Sequence, residues 1–166
     1  MHGQIHDCLK LMILEHFGND VWQKVLERAE AKESEDFLKY RHYDDDFTIY
    51  LIKAASDVLE LPLQKTLHAY GDYFCKYAMN LGYDCLIRSL GYDFLSFLEN
   101  LDTLHTLLAV SYHSIIPPIF RADRVDENTV NLHYYSIRMG LEMIVVGKYT
   151  LQFVFLVLDN LVFLER

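Results

Sequence analysis

A change of period near the middle of this chain limits what it can fold into more than any other feature. Phe94, Leu98, Leu101, His105, Leu108 and Tyr112 follow one another at steps of four, three, four, three and four. That spacing keeps one face of a long helix turned inward. Asp93, just after Gly91, is placed to cap its start. Pro117-Pro118 closes the region, because proline cannot continue a helix. Beyond the prolines, the β-branched and aromatic residues from Thr129 to Ser136 predict a strand.

The chain before this stripe reads as helices. Ile5, Leu9, Met12, Ile13 and His16 share one face, and Gly18 is a natural stop. Asp20 is placed to cap a helix through Val21, Trp22, Val25 and Leu26. The charged run from Ala29 to Asp36 reads as surface or loop. Asp44-Asp45-Asp46 precedes the periodic run Phe47, Tyr50, Leu51, Ala54, Ala55 and Leu59, and acids favour a helix N-terminus. Leu61-Pro62 starts a helix through Leu67, Tyr70, Phe74 and Tyr77 towards Gly82. After the predicted strand, Gly140 to Val146 reads as helix. Leu151 to Leu158 and Leu161 to Leu164, joined by Asp159-Asn160, read as a hairpin. No linker or internal repeat divides the chain. The expectation is one α+β domain over residues 1–166, mainly helical first, with a smaller part carrying an antiparallel sheet.

Composition narrows the function. A formal net charge of −9 and a pI near 5.2 argue against a nucleic-acid backbone as partner. Three cysteines, Cys8, Cys75 and Cys85, form no close pair and suit a reduced, cytoplasmic compartment. No signal peptide opens the chain, and its longest apolar run, Phe153 to Leu158, is too short to span a bilayer. Hydrophobic residues make up 52% of the chain and aromatic residues 14%, which suits an apolar pocket as well as a packed core.

Tyr134, Ser136 and Arg138 stand at alternate positions, so an extended backbone would turn all three to one side. All three donate hydrogen bonds, and the arginine adds a fixed charge. They suit an anionic ligand bearing carboxylates or phosphates; the ordinary alternative is a solvated strand face. His105 interrupts an otherwise apolar stripe, and burying an imidazole costs free energy unless it is hydrogen-bonded or ligated. It is either a core histidine satisfied by a carbonyl or a ligand of heme iron. Together, the trio and the histidine point to heme. His2, His6 and His16 fall on different faces of one helix, and His42 with Asp44 to Asp46 reads as a surface loop. There is no phosphate-binding glycine loop, nucleophile elbow or carboxylate pair of catalytic type.

In these residues the chain resembles the heme nitric oxide/oxygen-binding domain (H-NOX, or HNOB), in particular the one opening the beta subunit of soluble guanylate cyclase. The similarity rests on Met1-His2-Gly3, Gly18 to Trp22, Tyr43-Asp44-Asp45, Gly82-Tyr83-Asp84, Asn100 to His105, Pro118 to Arg121 and the Tyr-x-Ser-x-Arg motif. It is clear over residues 1–147, whereas residues 148–166 are atypical for the family. The resemblance implies heme b between the helical part and the later part. His105 would be the proximal iron ligand, flanked by Leu101 and Leu104. Tyr134, Ser136 and Arg138 would hold the propionates, and Pro118 would press on the porphyrin. The distal positions are Ile5, Phe74 and Ile144. Ile144 stands where oxygen-binding members carry tyrosine, which implies a nitric oxide sensor, with carbon monoxide as a second ligand. The implied role is regulatory, not enzymatic: a switch acting on guanylate cyclase and cGMP signalling, or on another signalling partner. A heme-free interaction module that keeps the fold is the alternative. A heme peroxidase lacks its distal His/Arg pair.

Overall fold

The computed structural model describes residues 1–31, 37–111, 116–127, 129–147 and 160–163. The chain divides into two compact units. One comprises Met1–Phe74 with Met143–Lys148, and the other comprises Cys75–Glu142 with Tyr149–Arg166. The fold class is α+β, as the change of period predicts. Among the described residues, no helix is long and apolar enough to cross a membrane.

The first unit is helical. Helix α1 (Gly3–Phe17) stops at Gly18, whose φ of 85° ends the helix while its N–H reaches the carbonyls of Ile13 and Leu14. Helix α2 (Asn19–Arg28) follows at once, and its N-cap is Gly18. Asp20, expected as the cap, therefore lies inside the first turn. It supplies favourable negative charge there instead of a capping bond. Asp44 does cap helix α3 (Asp45–Val58), accepting the Asp46 N–H at 3.1 Å. Helix α4 (Leu63–Ala78) begins immediately after Pro62, whose carbonyl accepts the Lys65 and Thr66 amides. The run from Ala29 to Asp36 is not uniformly surface, since Ala29 is buried. Residues 32–36 of that run lie outside the described residues.

Two glycines set close approaches in this unit. A Cβ on Gly3 would sit 2.0 Å from the Leu38 carbonyl oxygen and 2.9 Å from the Tyr43 ring. A Cβ on Gly147 would sit 2.0 Å from the His68 carbonyl oxygen. Residues 142–147 are helical, as expected, and Gly147 lets their end lie against the α4 backbone.

His6 is 1% exposed, and the rings of Phe37, Tyr43 and Phe47 surround it at 4.9, 4.8 and 5.5 Å. The Thr48 hydroxyl donates to the Asp44 carbonyl at 3.1 Å. Its oxygen is thus left to accept from His6 Nε2, 2.8 Å away, which fixes the imidazole tautomer. Burial and the nearby N-terminal ammonium push its pKa down to about 4 from 6.5. The other two N-terminal histidines are engaged elsewhere. His2 Nδ1 meets the Lys39 carbonyl at 3.1 Å, and the His16 ring packs edge-on to Tyr73.

The second unit joins helices to a sheet. A π-helical turn (Met79–Tyr83) bends the chain at Gly82, with φ 91°, into the short helix α5 (Asp84–Arg88). Helix α6 (Phe94–Ser111) carries the stripe; its last member, Tyr112, lies outside the described residues. Strands β1 (Ile119–Arg124) and β2 (Thr129–Tyr135) form an antiparallel pair, and β3 (Asn160–Phe163) adds to β2 in parallel. Strand β1 escaped the sequence reading because four of its six residues are charged or isoleucine on an exposed side, leaving little alternation to detect. Asn160, expected in a hairpin turn, starts a strand instead. The first arm of that hairpin lies outside the described residues.

Two outcomes test this packing. Gly3→Ala should cost about 1–3 kcal/mol in denaturant unfolding, the usual cost of forcing atoms into a filled site. His6 is held neutral, so its contribution is complete above pH 6.5 and is lost as the pH falls towards about 4. His6→Leu should flatten that part of the stability–pH curve relative to the unsubstituted protein. An unchanged difference between the two across this window would contradict the assignment.

Candidate functional site

Helix α6 starts with a reciprocal cap. Asp93 Oδ1 accepts the Ser96 N–H at 2.8 Å, while Ser96 Oγ accepts the Asp93 N–H at 3.3 Å. Asn100 Nδ2 donates to the Leu90 carbonyl at 2.7 Å, tying the helix to the preceding turn. Leu98 and Leu101 are fully buried, whereas Leu104, His105 and Leu108 are half-buried. The expectation that His105 lies on a buried face therefore holds in part: its Nδ1 is buried, but the residue as a whole keeps an accessible side.

Strand β1 lies along α6. The Phe120 N–H donates to Asp102 Oδ1 at 3.0 Å, and the Phe120 ring stacks on the His105 ring at 5.4 Å and 30°. Farther along, Arg124 pairs with Asp93 at 3.7 Å. Neither Asp102 nor Phe120 was singled out for a role by the sequence reading. The available signal was an acid three residues before His105, a spacing that puts both on one helix face.

Tyr134 is the last but one residue of β2 and sits opposite Phe120, with ring centroids 5.6 Å apart. Burial raises its pKa above the ordinary phenol value. A hydrogen bond with Ser136 and the Arg138 charge oppose that rise, and Glu142 adds to it. At neutral pH the phenol is therefore a donor. Ser136 and Arg138 lie past the strand end, Arg138 in a bend, so the trio is not carried by one strand as expected. What joins them is local: Ser136 Oγ accepts the Arg138 N–H at 3.0 Å. Arg138 Nη1 donates to the Ile116 carbonyl at 2.8 Å, which orients the guanidinium. Pro118, half-buried, directly precedes β1. All of these residues belong to the second unit, which carries the imidazole on α6, one hydroxyl on β2, and the other hydroxyl and the guanidinium just past the end of β2.

Ile5, Phe74 and Ile144 belong to the first unit. Ile5 lies in the first turn of α1, and its carbonyl accepts the Tyr70 hydroxyl at 3.1 Å. Tyr70 is 1% exposed, and its ring lies 6.1 Å from that of Phe74. Tyr73, the next residue towards Phe74's end of α4 that could supply a phenol, donates to Glu15 at 2.7 Å. Its pKa is raised by burial and by Glu15. Ile144 is half-buried, one turn before Gly147.

An imidazole on a helix, with a cation and two hydroxyls in the same unit, is a donor set suited to an iron porphyrin bearing carboxylates. Comparisons with known proteins agree with that chemistry. The Haem-NO-binding family matches residues 2–150. Soluble guanylate cyclase gcy-35 of Caenorhabditis elegans is 32% identical over 149 residues, covering 89% of this chain and 22% of that protein. The guanylate cyclase soluble subunit beta-2 of Rattus norvegicus is 42% identical over 85 residues, covering 51% and 12%. This chain thus spans about a fifth of the length of the first of these relatives. Among solved structures, an H-NOX protein from S. oneidensis in the Fe(II)NO ligation state shares the fold with a TM-score of 0.79 at 20% identity. That match covers 93% of this chain and 84% of the other. An oxygen-binding H-NOX domain related to soluble guanylate cyclases, solved as its oxygen complex, matches with a TM-score of 0.76 at 19% identity, covering 93% and 80%.

The Ser136 contact lowers the pKa of Tyr134, so removing it should do the reverse. In Ser136→Ala, ultraviolet titration should show the Tyr134 phenol ionising at higher pH than in the parent, with Tyr134→Phe identifying its signal. Stability should fall by about 1 kcal/mol, the usual worth of one such hydrogen bond. Earlier ionisation would mean that Ser136 does not support the phenolate.

Proposed function

This chain belongs to the Haem-NO-binding family, and we propose on that footing that it is a heme-binding gas-sensor domain. Its ligand is nitric oxide, its cofactor heme b, and its output the control of guanylate cyclase and cGMP signalling. Heme b, when bound, supplies a ferrous iron that takes up the gas. His105 is the residue that holds the iron, from α6. Leu101 and Leu104, on the same helix, supply apolar surface beside it. Tyr134, Ser136 and Arg138 grip the propionates, with Arg138 providing the charge and the two hydroxyls the remaining donors. Pro118 offers a rigid ring ahead of β1 as a porphyrin contact. The observation that carries this reading is the gathering of His105, Tyr134, Ser136 and Arg138 in one unit, with His105 and Tyr134 linked through Phe120.

Selection of nitric oxide over oxygen rests on the apolar residues Ile5, Phe74 and Ile144. These three side chains carry no hydrogen-bond donor, so they would offer a polarised gas ligand no stabilising bond. The nearby phenols of Tyr70 and Tyr73 donate to the Ile5 carbonyl and to Glu15. The output is proposed to run through α6, because that helix carries His105 and is bonded to β1 at Asp102.

The test is an absorption spectrum of the reduced, heme-reconstituted protein. A Soret band of the five-coordinate ferrous type is expected, and exposure to nitric oxide should change it. No Soret band would sink the heme reading and leave a protein-interaction module. His105→Gly should lose the band and regain it with free imidazole. A stable oxygen complex in air would refute the proposed role of Ile144.

A further inference from the structure

Phe120 stands where three constraints meet. Its amide is bonded to Asp102, one turn before His105 on the same helix. Its ring stacks on His105 and touches Tyr134, with centroids at 5.4 and 5.6 Å. It is 5% exposed, so the ring has little room to rotate. Because its N–H turns to α6 and away from β2, Phe120 and Tyr134 form the close, non-hydrogen-bonded kind of cross-strand pair. The alternation along the hairpin agrees, since the Val125 N–H, an odd step away, does bond across it to Thr129.

We propose that Phe120 is a positioning residue for His105. Its ring sets the plane of the imidazole, and its amide tether to Asp102 keeps that ring in step with α6. The same ring couples the imidazole to the Tyr134 phenol, so His105 and Tyr134 do not reorient independently. This rests on the reading of His105 as the iron ligand.

The experiment is resonance Raman spectroscopy of the ferrous, heme-loaded full chain, reading the iron–histidine stretching band. Phe120→Leu keeps an apolar side chain but removes the flat face. It should broaden and shift the band, because the imidazole then samples more than one orientation. Asp102→Ala should do the same through the lost tether. Leu132→Ala, a buried position on the same sheet face, is the control. It should lower the melting temperature without moving the band. A band of unchanged position and width in Phe120→Leu overturns the proposal. Where Phe120→Leu does not fold, an unchanged band in Asp102→Ala overturns it equally. A parent protein with no iron–histidine band at all refutes instead the assignment of His105 as ligand, and this inference falls with it.

Discussion

The second unit depends on the bond between the Phe120 amide and the Asp102 carboxylate. Without it, β1 would lie on α6 only through side-chain contact, which fixes distance but not register. With it, one atom pair sets which strand residue faces His105. Antiparallel pairing then sets which residue of β2 faces Phe120. The position of Tyr134 relative to His105 thus follows from one helix-to-strand hydrogen bond and one strand register. The Arg124–Asp93 pair supports this alignment at the far end, but both partners are well exposed, and such pairs contribute little.

Several elements were legible because their signals are local. Gly18 ends α1, Asp44 caps α3 and Asp93 caps α6, and each follows from the chemistry of one side chain against neighbouring amides. The stripe on α6 was legible for the same reason, since a helical period needs no knowledge of its partner. Asp20 misled because a cap residue and a first-turn acid have the same composition signature. Only the φ of Gly18 separates them. Strand β1 and the parallel pairing of β3 were not legible, because both depend on which distant segment supplies hydrogen bonds.

The candidate site divides along the same line. His105, Tyr134, Ser136 and Arg138 were legible as residue types with matching chemistry. Asp102 and Phe120 were not, because their importance is a matter of orientation. An aspartate on a helix and a phenylalanine in a strand carry no signal until the amide of one segment meets the carboxylate of the other. The trio was also expected to share an extended backbone. Two of its members instead lie past the strand end, brought together by a side-chain-to-backbone hydrogen bond that alternation cannot reveal.

The same Asp102 bond has a consequence for solubility. Among the described residues, strand β1 is bonded to a partner strand on one side only. Its other side would ordinarily offer backbone groups to any passing strand. Here the Phe120 amide on that side is consumed by α6. Arg121, Asp123 and Arg124 add exposed charges that discourage further pairing. The helix that carries the candidate ligand therefore also shields the edge, so that new strands extend the sheet beyond β2, where β3 joins it.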